Sequence, residues 1–377
     1  MNLSYWELES FFKNIDVLIV GSGIVGLNAA LTLKEKSPNL HVVIAEKGCL
    51  PAGASTKNAG FSCFGSVSEL LDDMKSQDED FVLGVLEKRW LGLQRLKERV
   101  GAPNMDYYEY GNFEVFRKED AELFEECHSK MDSLNQRLKS IIGLPETFSL
   151  ANDKIDHFGF AGVQQLIWNK GEGQIHTGKM MHTLLHLARE KGIQIFNGIT
   201  INNLEDTGSE VLVQANDSWE FKAKQVLIAT NGFAKRLHPN LNVNPARNQV
   251  LITKPIPDLS LQGAFHYNKG YVYFRNIENR ILLGGGRHLD VEGETTAEFG
   301  FTDTIQTYLT DLLHRVIAPQ HSVEIDHWWS GIMGVGEAKK PLVQRQSNRI
   351  ALAVRMGGMG VAIGSLIGEE GAHLLLE

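Results

Sequence analysis

The run Gly21-Ser22-Gly23-Ile24-Val25-Gly26 constrains this chain more than any other feature, because of what flanks it. Ile15 to Val20 is continuously apolar, the pattern of a strand buried on both faces of a parallel sheet. Helical spacing follows to about Lys36, and His41 to Ala45 is a second buried strand closed by Glu46. Strand, glycine turn, helix and strand make one βαβ unit. Gly21 permits the tight turn, Gly23 lets the backbone touch a pyrophosphate, and Gly26 lets the helix pack on the strand. The start of that helix, at Ser22, Ile24 and Val25, offers free N–H groups and the positive end of the helix dipole. Glu46 stands 20 residues past Gly26, with Lys47 beside it, where a carboxylate accepts ribose hydroxyls.

A length of 377 residues exceeds what one core usually supports, so two intimately joined domains are expected. The net charge of -9 argues against nucleic acid as the main partner and against attraction to an anionic membrane surface. Three cysteines give no disulfide framework and point to a reducing cytoplasm. There is no metal-ligand spacing: His182 and His186 lie four apart on a helix, but no Glu follows the first, so they read as surface histidines. Met1 to Asn14 lacks a basic start and a long apolar core, unlike a signal peptide, and no apolar run is long enough to span a bilayer.

Beyond Glu46 the chain does not continue as consecutive βαβ units. Gly48 to Gly65 is a loop rich in Gly, Ser and Ala, Glu69 to Val100 reads as one helix, and Lys118 to Ile142 as another. Gly178 to Gly192 reads as an amphipathic helix, and Thr302 to Val316 is helical. Short strands are predicted at Ile193 to Phe196, Glu210 to Gln214 and Trp219 to Ala223, with a separate buried strand at Val226 to Thr230. Alternating patterns follow at Val250 to Thr253, Gly270 to Arg275 and Arg280 to Gly284. Ile350 to Val354 is one more buried strand, leading into a glycine-rich turn and a last helix. A nucleotide domain assembled from separated segments fits a flavoprotein better than a nicotinamide enzyme.

Several stretches then carry a resemblance. They are Asp16 to Gly26, Glu46, Gly53-Ala54-Ser55-Thr56-Lys57-Asn58-Ala59-Gly60, Leu227 to Gly232, Tyr271-Val272-Tyr273-Phe274-Arg275, Ile281 to Gly285, Trp329-Ser330-Gly331, and Gly358-Met359-Gly360-Val361. In this order the chain resembles the D-amino-acid oxidase superfamily of FAD-dependent oxidoreductases, which includes glycine, sarcosine and γ-glutamylputrescine oxidases. The resemblance implies bound FAD, with Ala54 to Gly60 along its pyrophosphate, ribityl chain and ring. It places Ala229 and Thr230 where the nucleotide crosses the sheet, and the helix start at Gly358, Met359, Gly360 and Val361 at the flavin pyrimidine edge. Some relatives tether flavin through a His where Asn58 stands, and others through a late Cys, whereas no Cys follows Cys127; noncovalent FAD is therefore expected.

Amino-acid oxidising relatives carry an Arg soon after the Trp-x-Gly pair, but Ile332-Met333 follows here. A substrate carboxylate then needs another cation, and Arg355, just before the flavin-facing glycines, is the favoured anchor. Arg275 is either a substrate contact or a structural ion pair, Lys340 a contact or solvated charge, and Tyr271 and Tyr273 either pocket walls or packed strand aromatics. The expected fold is α/β with an α+β substrate part: a Rossmann-type FAD domain over 14–80, 155–235 and 325–377, and a mixed-sheet substrate domain over 81–154 and 236–324. The implied reaction moves a hydride from an amine or amino-acid-like substrate to flavin N5, with imine hydrolysis and with oxygen or another acceptor taking the electrons. A 2-hydroxy-acid dehydrogenase on the same scaffold and a flavin-binding redox sensor without turnover are the alternatives.

Overall fold

The computed structural model describes residues 3–377; Met1 and Asn2, the start of the amino-terminal stretch, lie outside the described residues. Two eight-stranded sheets organise the chain. In the first, five strands run parallel in the order Ile350–Val354, Trp219–Ile228, Ile15–Val20, Val42–Glu46 and Gln194–Asn197. Helices Ile24–Lys36, Thr177–Glu190 and Gly360–Leu376 cover one face, burying Leu27, Leu31, Met180, Leu184, Ile363 and Ile367. The other face is covered by an antiparallel layer that buries Val211, Val213 and Phe221. A parallel sheet needs both faces covered, which is why its strands are apolar throughout.

Trp219 to Ile228 is one ten-residue strand, not the two that the sequence pattern suggests. Its first half pairs antiparallel with Val211–Ala215 and alternates in polarity, whereas its second half sits between Ile15–Val20 and Ile350–Val354 and is buried. Two environments along one strand produced two patterns.

The second sheet runs Ile325–Val335, Asn244–Thr253, Arg280–Gly285, Val272–Ile277, Ala264–Tyr267, Asn112–Arg117, Val163–Asn169 and Phe148–Leu150. Only Ala264–Tyr267 and Asn112–Arg117 pair in parallel, so it is a mixed sheet. One face packs on the helix Asp303–Leu312 through Ile305 and Leu309, and the other meets helices Val67–Met74, Glu79–Val100 and Ala121–Ile142. Strands Val163–Asn169 and Ile325–Val335 fall inside the segments expected in the nucleotide domain, yet they pair here. Their partners lie far away in sequence, and no local signal reports pairing.

The helix expected from Glu69 to Val100 is broken. Ser66 caps Val67–Met74 and Asp78 caps Glu79–Val100 by accepting the Phe81 N–H at 2.9 Å. Two N-caps start two helices, and the break places Asp72, Asp73, Ser76 and Gln77 on the wall of the central cavity. No helix among the described residues is long and apolar enough to cross a membrane.

Candidate active site

A cavity of about 850 Å³ opens where the parallel strands end, at Val20, Ala45 and Ala229, and reaches the second sheet at Tyr273 and His266. The carboxyl ends of parallel strands are the usual place for a nucleotide. Gly21 has φ +107°, a conformation that glycine tolerates, and a Cβ on Gly23 would lie 2.8 Å from the Ser55 hydroxyl. Gly26 stands away from the cavity, and its missing Cβ lets the helix approach the Gly21 carbonyl. Ser22 is fully buried, with its N–H and hydroxyl both donating to Glu46 Oε2 at 3.0 and 2.8 Å. Glu46 Oε1 accepts the Gly48 N–H at 3.0 Å and the Ala52 N–H at 3.4 Å. Glu46 is on the cavity wall, but its four acceptor sites are engaged, so a ribose hydroxyl would have to displace one of these donors.

Ser55 Oγ accepts the Ile24 N–H at 2.9 Å, which puts the hydroxyl over the start of the helix that the motif prepares for phosphate. Lys47, Ala54, Lys57 and Ala59 line the cavity, as do Ile24 and Val25. Asn58 does too, but its amide serves the loop: Nδ2 donates to the Ala54 and Ser55 carbonyls, and Oδ1 accepts from Gly60 N–H and the Thr177 hydroxyl. The Asn58 amide is therefore engaged within the loop and offers no free donor to the cavity. Thr56 and Gly60 stand off the wall: the Thr56 hydroxyl donates to the Pro51 carbonyl, and Gly60 turns with φ +76° against Ile175. Ala229 and Thr230 line the cavity, and the buried Thr230 Oγ1 has no hydrogen-bond partner. Gly358, Met359, Gly360 and Val361 line it at the start of Gly360–Leu376, where first-turn N–H groups lack intrahelical acceptors.

The cationic anchors expected for a substrate are elsewhere. Arg355 is buried with φ +68°; its Nε donates to the Lys340 carbonyl at 2.8 Å and its Nη1 to the Asn242 carbonyl at 3.0 Å. It ties a loop to a strand and is not on the cavity wall. Arg275 lies beneath Gly60, donating to its carbonyl at 3.2 Å, and burial without a carboxylate partner pushes its pKa down to about 10. Lys340 is exposed and faces away, while its neighbour Lys339 lines the cavity and pairs with Asp73 at 2.8 Å and Glu69 at 3.3 Å. Tyr271 and Tyr273 both line the cavity; Tyr273 packs edge-on to Phe61 and over Gly284, and burial pushes its hydroxyl pKa up. Met333 is also at the wall, where the Asn248 amide donates to its sulfur at 3.1 Å.

Sequence reasoning missed the charged wall opposite the aromatics. Glu69 pairs with Lys339 and with Arg89 at 3.5 Å, and Lys269 pairs with Asp72 at 2.6 Å. These residues come from two helices, a turn and a loop, and only the cap signals at Ser66 and Asp78 announce any of them. Burial opposes ionisation of Glu69, but Lys339 and Arg89 outweigh it and hold its pKa at about 2. Behind this wall, burial pushes Glu114 up to about 7 against hydrogen bonds from Ser66 and Ser68, and Glu172 up to about 8.

These shifts fix a pH profile. Glu69 is depressed, so its stabilisation is present above 4.5 and is lost as pH falls towards 2. Glu114 is raised, so its stabilisation is present below 4.5 and is lost as pH rises through 7, an effect on the order of 3 kcal/mol; Glu172 acts in the same direction. Urea midpoints should therefore be higher at about pH 5 than at about pH 8, and Glu114→Gln should flatten that difference. An equal slope in wild type and variant would refute the assignment to Glu114.

A model of the family described as FAD dependent oxidoreductase (DAO) matches residues 16–374. A probable oxidoreductase, OrdL, of Rhizobium meliloti is 23% identical, over 97% of this chain and 83% of its own. The gamma-glutamylputrescine oxidoreductase of Escherichia coli is 23% identical over 96% and 83%. Among solved structures, glycine oxidase from Geobacillus kaustophilus superposes with a TM-score of 0.75 at 20% identity, covering 96% of this chain and 94% of that one. Iminodiacetate oxidase from Chelativorans gives 0.75 at 18% identity over 96% and 95%. At these identities the superpositions establish the shared fold.

Proposed function

The chain belongs to the FAD dependent oxidoreductase (DAO) family, and from that membership we propose that it oxidises an amine or amino-acid-like substrate to an imine, which water hydrolyses, while oxygen or another acceptor takes the electrons. The observation that carries this reading is the single cavity running from the dinucleotide turn at Gly21 and Ser55 to the aromatic wall of Phe61 and Tyr273. Bound FAD supplies the hydride acceptor at its N5. The residues present can hold it: Gly21, Gly23 and Ser55 line the cavity at the helix start, where a pyrophosphate would take the Ile24 N–H in place of the Ser55 hydroxyl, and Glu46 lies on the wall where a ribose would displace one of its donors. The first-turn N–H groups of Gly360–Leu376, on the cavity wall, would stabilise negative charge on a flavin bound there. Phe61 and Tyr273 line the cavity and would shield a substrate carbon bound beside the flavin from water, and a drier site would favour the neutral amine, the form that can lose hydride. No side chain then has to remove a proton first. Oxidised amines and amino acids in the names of gamma-glutamylputrescine oxidoreductase and glycine oxidase support the same class.

A substrate carboxylate, where present, meets a wall whose cations near Glu69 are already paired. Arg287 lines the cavity near Tyr271 without a carboxylate partner among the described residues, and it replaces Arg355 and Arg275 as the anchor this reading favours. The test is anaerobic mixing of the yellow protein with primary and secondary amines, glycine, sarcosine, D-amino acids and 2-hydroxy acids. An amine should bleach the flavin, and acid precipitation should leave the colour in the supernatant, as for noncovalent FAD. Bleaching by a hydroxy acid alone would make the protein a 2-hydroxy-acid dehydrogenase, and no bleaching by any substrate would favour the sensor.

A further inference from the structure

The four-residue strand Ala264–Tyr267 of the second sheet brings His266 to the cavity wall. Its register partners are Tyr273 on one side and Glu114 on the other. The imidazole stacks on Phe61, with ring centroids 5.2 Å apart and planes 21° from parallel, and the residue is only 8% exposed. Burial pushes its pKa down to about 4, with only Glu69 opposing, so the ring is neutral at ordinary pH. A neutral imidazole has one nitrogen that donates and one that accepts.

Which is which follows from the neighbours. Glu172 accepts N–H groups from Phe64 at 2.7 Å, Gly65 at 2.8 Å and Asn112 Nδ2 at 2.7 Å. Above its pKa of about 8 Glu172 is a carboxylate, which only accepts, so there Asn112 must turn its nitrogen this way. The same Nδ2 lies 3.0 Å from His266 Nδ1 and gives it the second amide hydrogen. Nδ1 is then the acceptor and the ring proton sits on Nε2. Nε2 has no protein partner among the described residues, and the ring lines the cavity. An N–H group that lines the cavity without a protein partner calls for an acceptor. A substrate N–H cannot serve, because the nitrogen that faces it already carries a proton, and the lone pair of a neutral amine must stay free to drive hydride loss, so the acceptor is an oxygen.

We propose that His266 is a substrate-binding residue that donates its Nε2–H to an acceptor oxygen of the substrate, a carboxylate or an amide carbonyl, and that Asn112 and Glu172 are positioning residues that hold this tautomer. The assignment rests on the amine-oxidation reading and narrows it: the amine carries an oxygen acceptor close to the carbon that is oxidised. The neutral ring binds such an oxygen without repelling a nearby ammonium group.

The test uses the holoenzyme labelled with 15N-histidine, with His266→Gln identifying the resonance. At about pH 9, above the Glu172 pKa of about 8, His266 should show a protonated Nε2 and a bare Nδ1. Acetate and acetamide, titrated by the flavin absorbance change, should shift the Nε2 resonance. His266→Phe should weaken both probes by about tenfold, the scale of one lost hydrogen bond to a desolvated group. His266→Gln, which places an amide N–H near the position of Nε2, should restore most of the affinity, and n-propylamine should bind all three proteins alike. Asn112→Leu should release the ring into a mixture of tautomers. A proton on Nδ1, or acetate and acetamide binding equally to wild type and His266→Phe, would overturn the proposal. If His266→Phe loses its flavin, the wild-type tautomer and the acetate-induced shift decide. Failure of every amine to bleach the flavin, with these results intact, would sink amine oxidation and leave the oxygen contact standing.

Discussion

Replacing Gly26 by alanine is expected to cost the protein much of its stability and its cofactor. A Cβ built there falls 2.0 Å from the Gly21 carbonyl oxygen and 3.2 Å from the Ile19 side chain. The obstacle is backbone, so no rotamer change relieves it, and the helix Ile24–Lys36 must move away from the strand it packs on. Overpacking of a core typically costs about 1–3 kcal/mol, and a clash with backbone belongs at or above the upper end. The same movement displaces the helix start that holds the Ser55 hydroxyl at the cavity, so bound flavin should fall with stability. Gly84→Ala, on the helix Glu79–Val100 and off the cavity wall, is the control, since nothing lies within 4 Å of a Cβ at that position. The measurements are the urea midpoint and the flavin-to-protein absorbance ratio. A Gly26→Ala protein with wild-type values for both would show that helix and strand do not need this close approach.

Glu294→Ala should be comparably severe, on the order of 3–5 kcal/mol, because it strands a buried guanidinium. Glu294 is fully buried and takes Arg247 in a two-point grip, Nε to Oε2 at 2.9 Å and Nη2 to Oε1 at 2.8 Å. Gln249 donates to the same carboxylate at 3.0 Å. The group anchors the loop between Gly285 and the helix Asp303–Leu312, and that loop puts Glu298 and Phe299 on the cavity wall, with the Lys57 ammonium 5.2 Å from the Phe299 ring. Loss of the anchor should therefore also raise KM for whichever substrate bleaches the flavin. The double variant Arg247→Met/Glu294→Ala should recover part of the lost stability, since it leaves no unpaired charge. If the single variant unfolds at the wild-type urea concentration, or the double variant is the less stable of the two, the buried pair does not have this role.

The nucleotide half was legible in the chain because its signals are local. An apolar run, a glycine turn, a helix and a strand ending in Glu46 follow one another within about thirty residues, as expected of a βαβ unit, and each glycine in the turn answers to one close contact. The start of the last helix at Gly358 to Val361 was readable for the same reason. The substrate side was not. Arg355 and Arg275 were singled out as arginines near recognisable motifs, but whether a guanidinium faces a cavity or a carbonyl depends on what packs over it. Here the Lys340 and Asn242 carbonyls took one and the Gly60 carbonyl the other. Lys340 and Lys339 are indistinguishable in a sequence, and one residue of register decided which meets Glu69 and Asp73.

By itself, then, the sequence determined the family, the dinucleotide turn and the α/β architecture, since these rest on spacings that a short stretch of chain carries within itself. Tertiary structure alone decided the wall facing the substrate. His266, Asn112 and Glu172 lie on separate elements, up to 154 residues apart, and the chemistry of the imidazole exists only once a strand pairing brings Asn112 against Nδ1. Hydrogen bonding acts through space over about 3 Å, and no pattern along the chain encodes which distant residues will come that close.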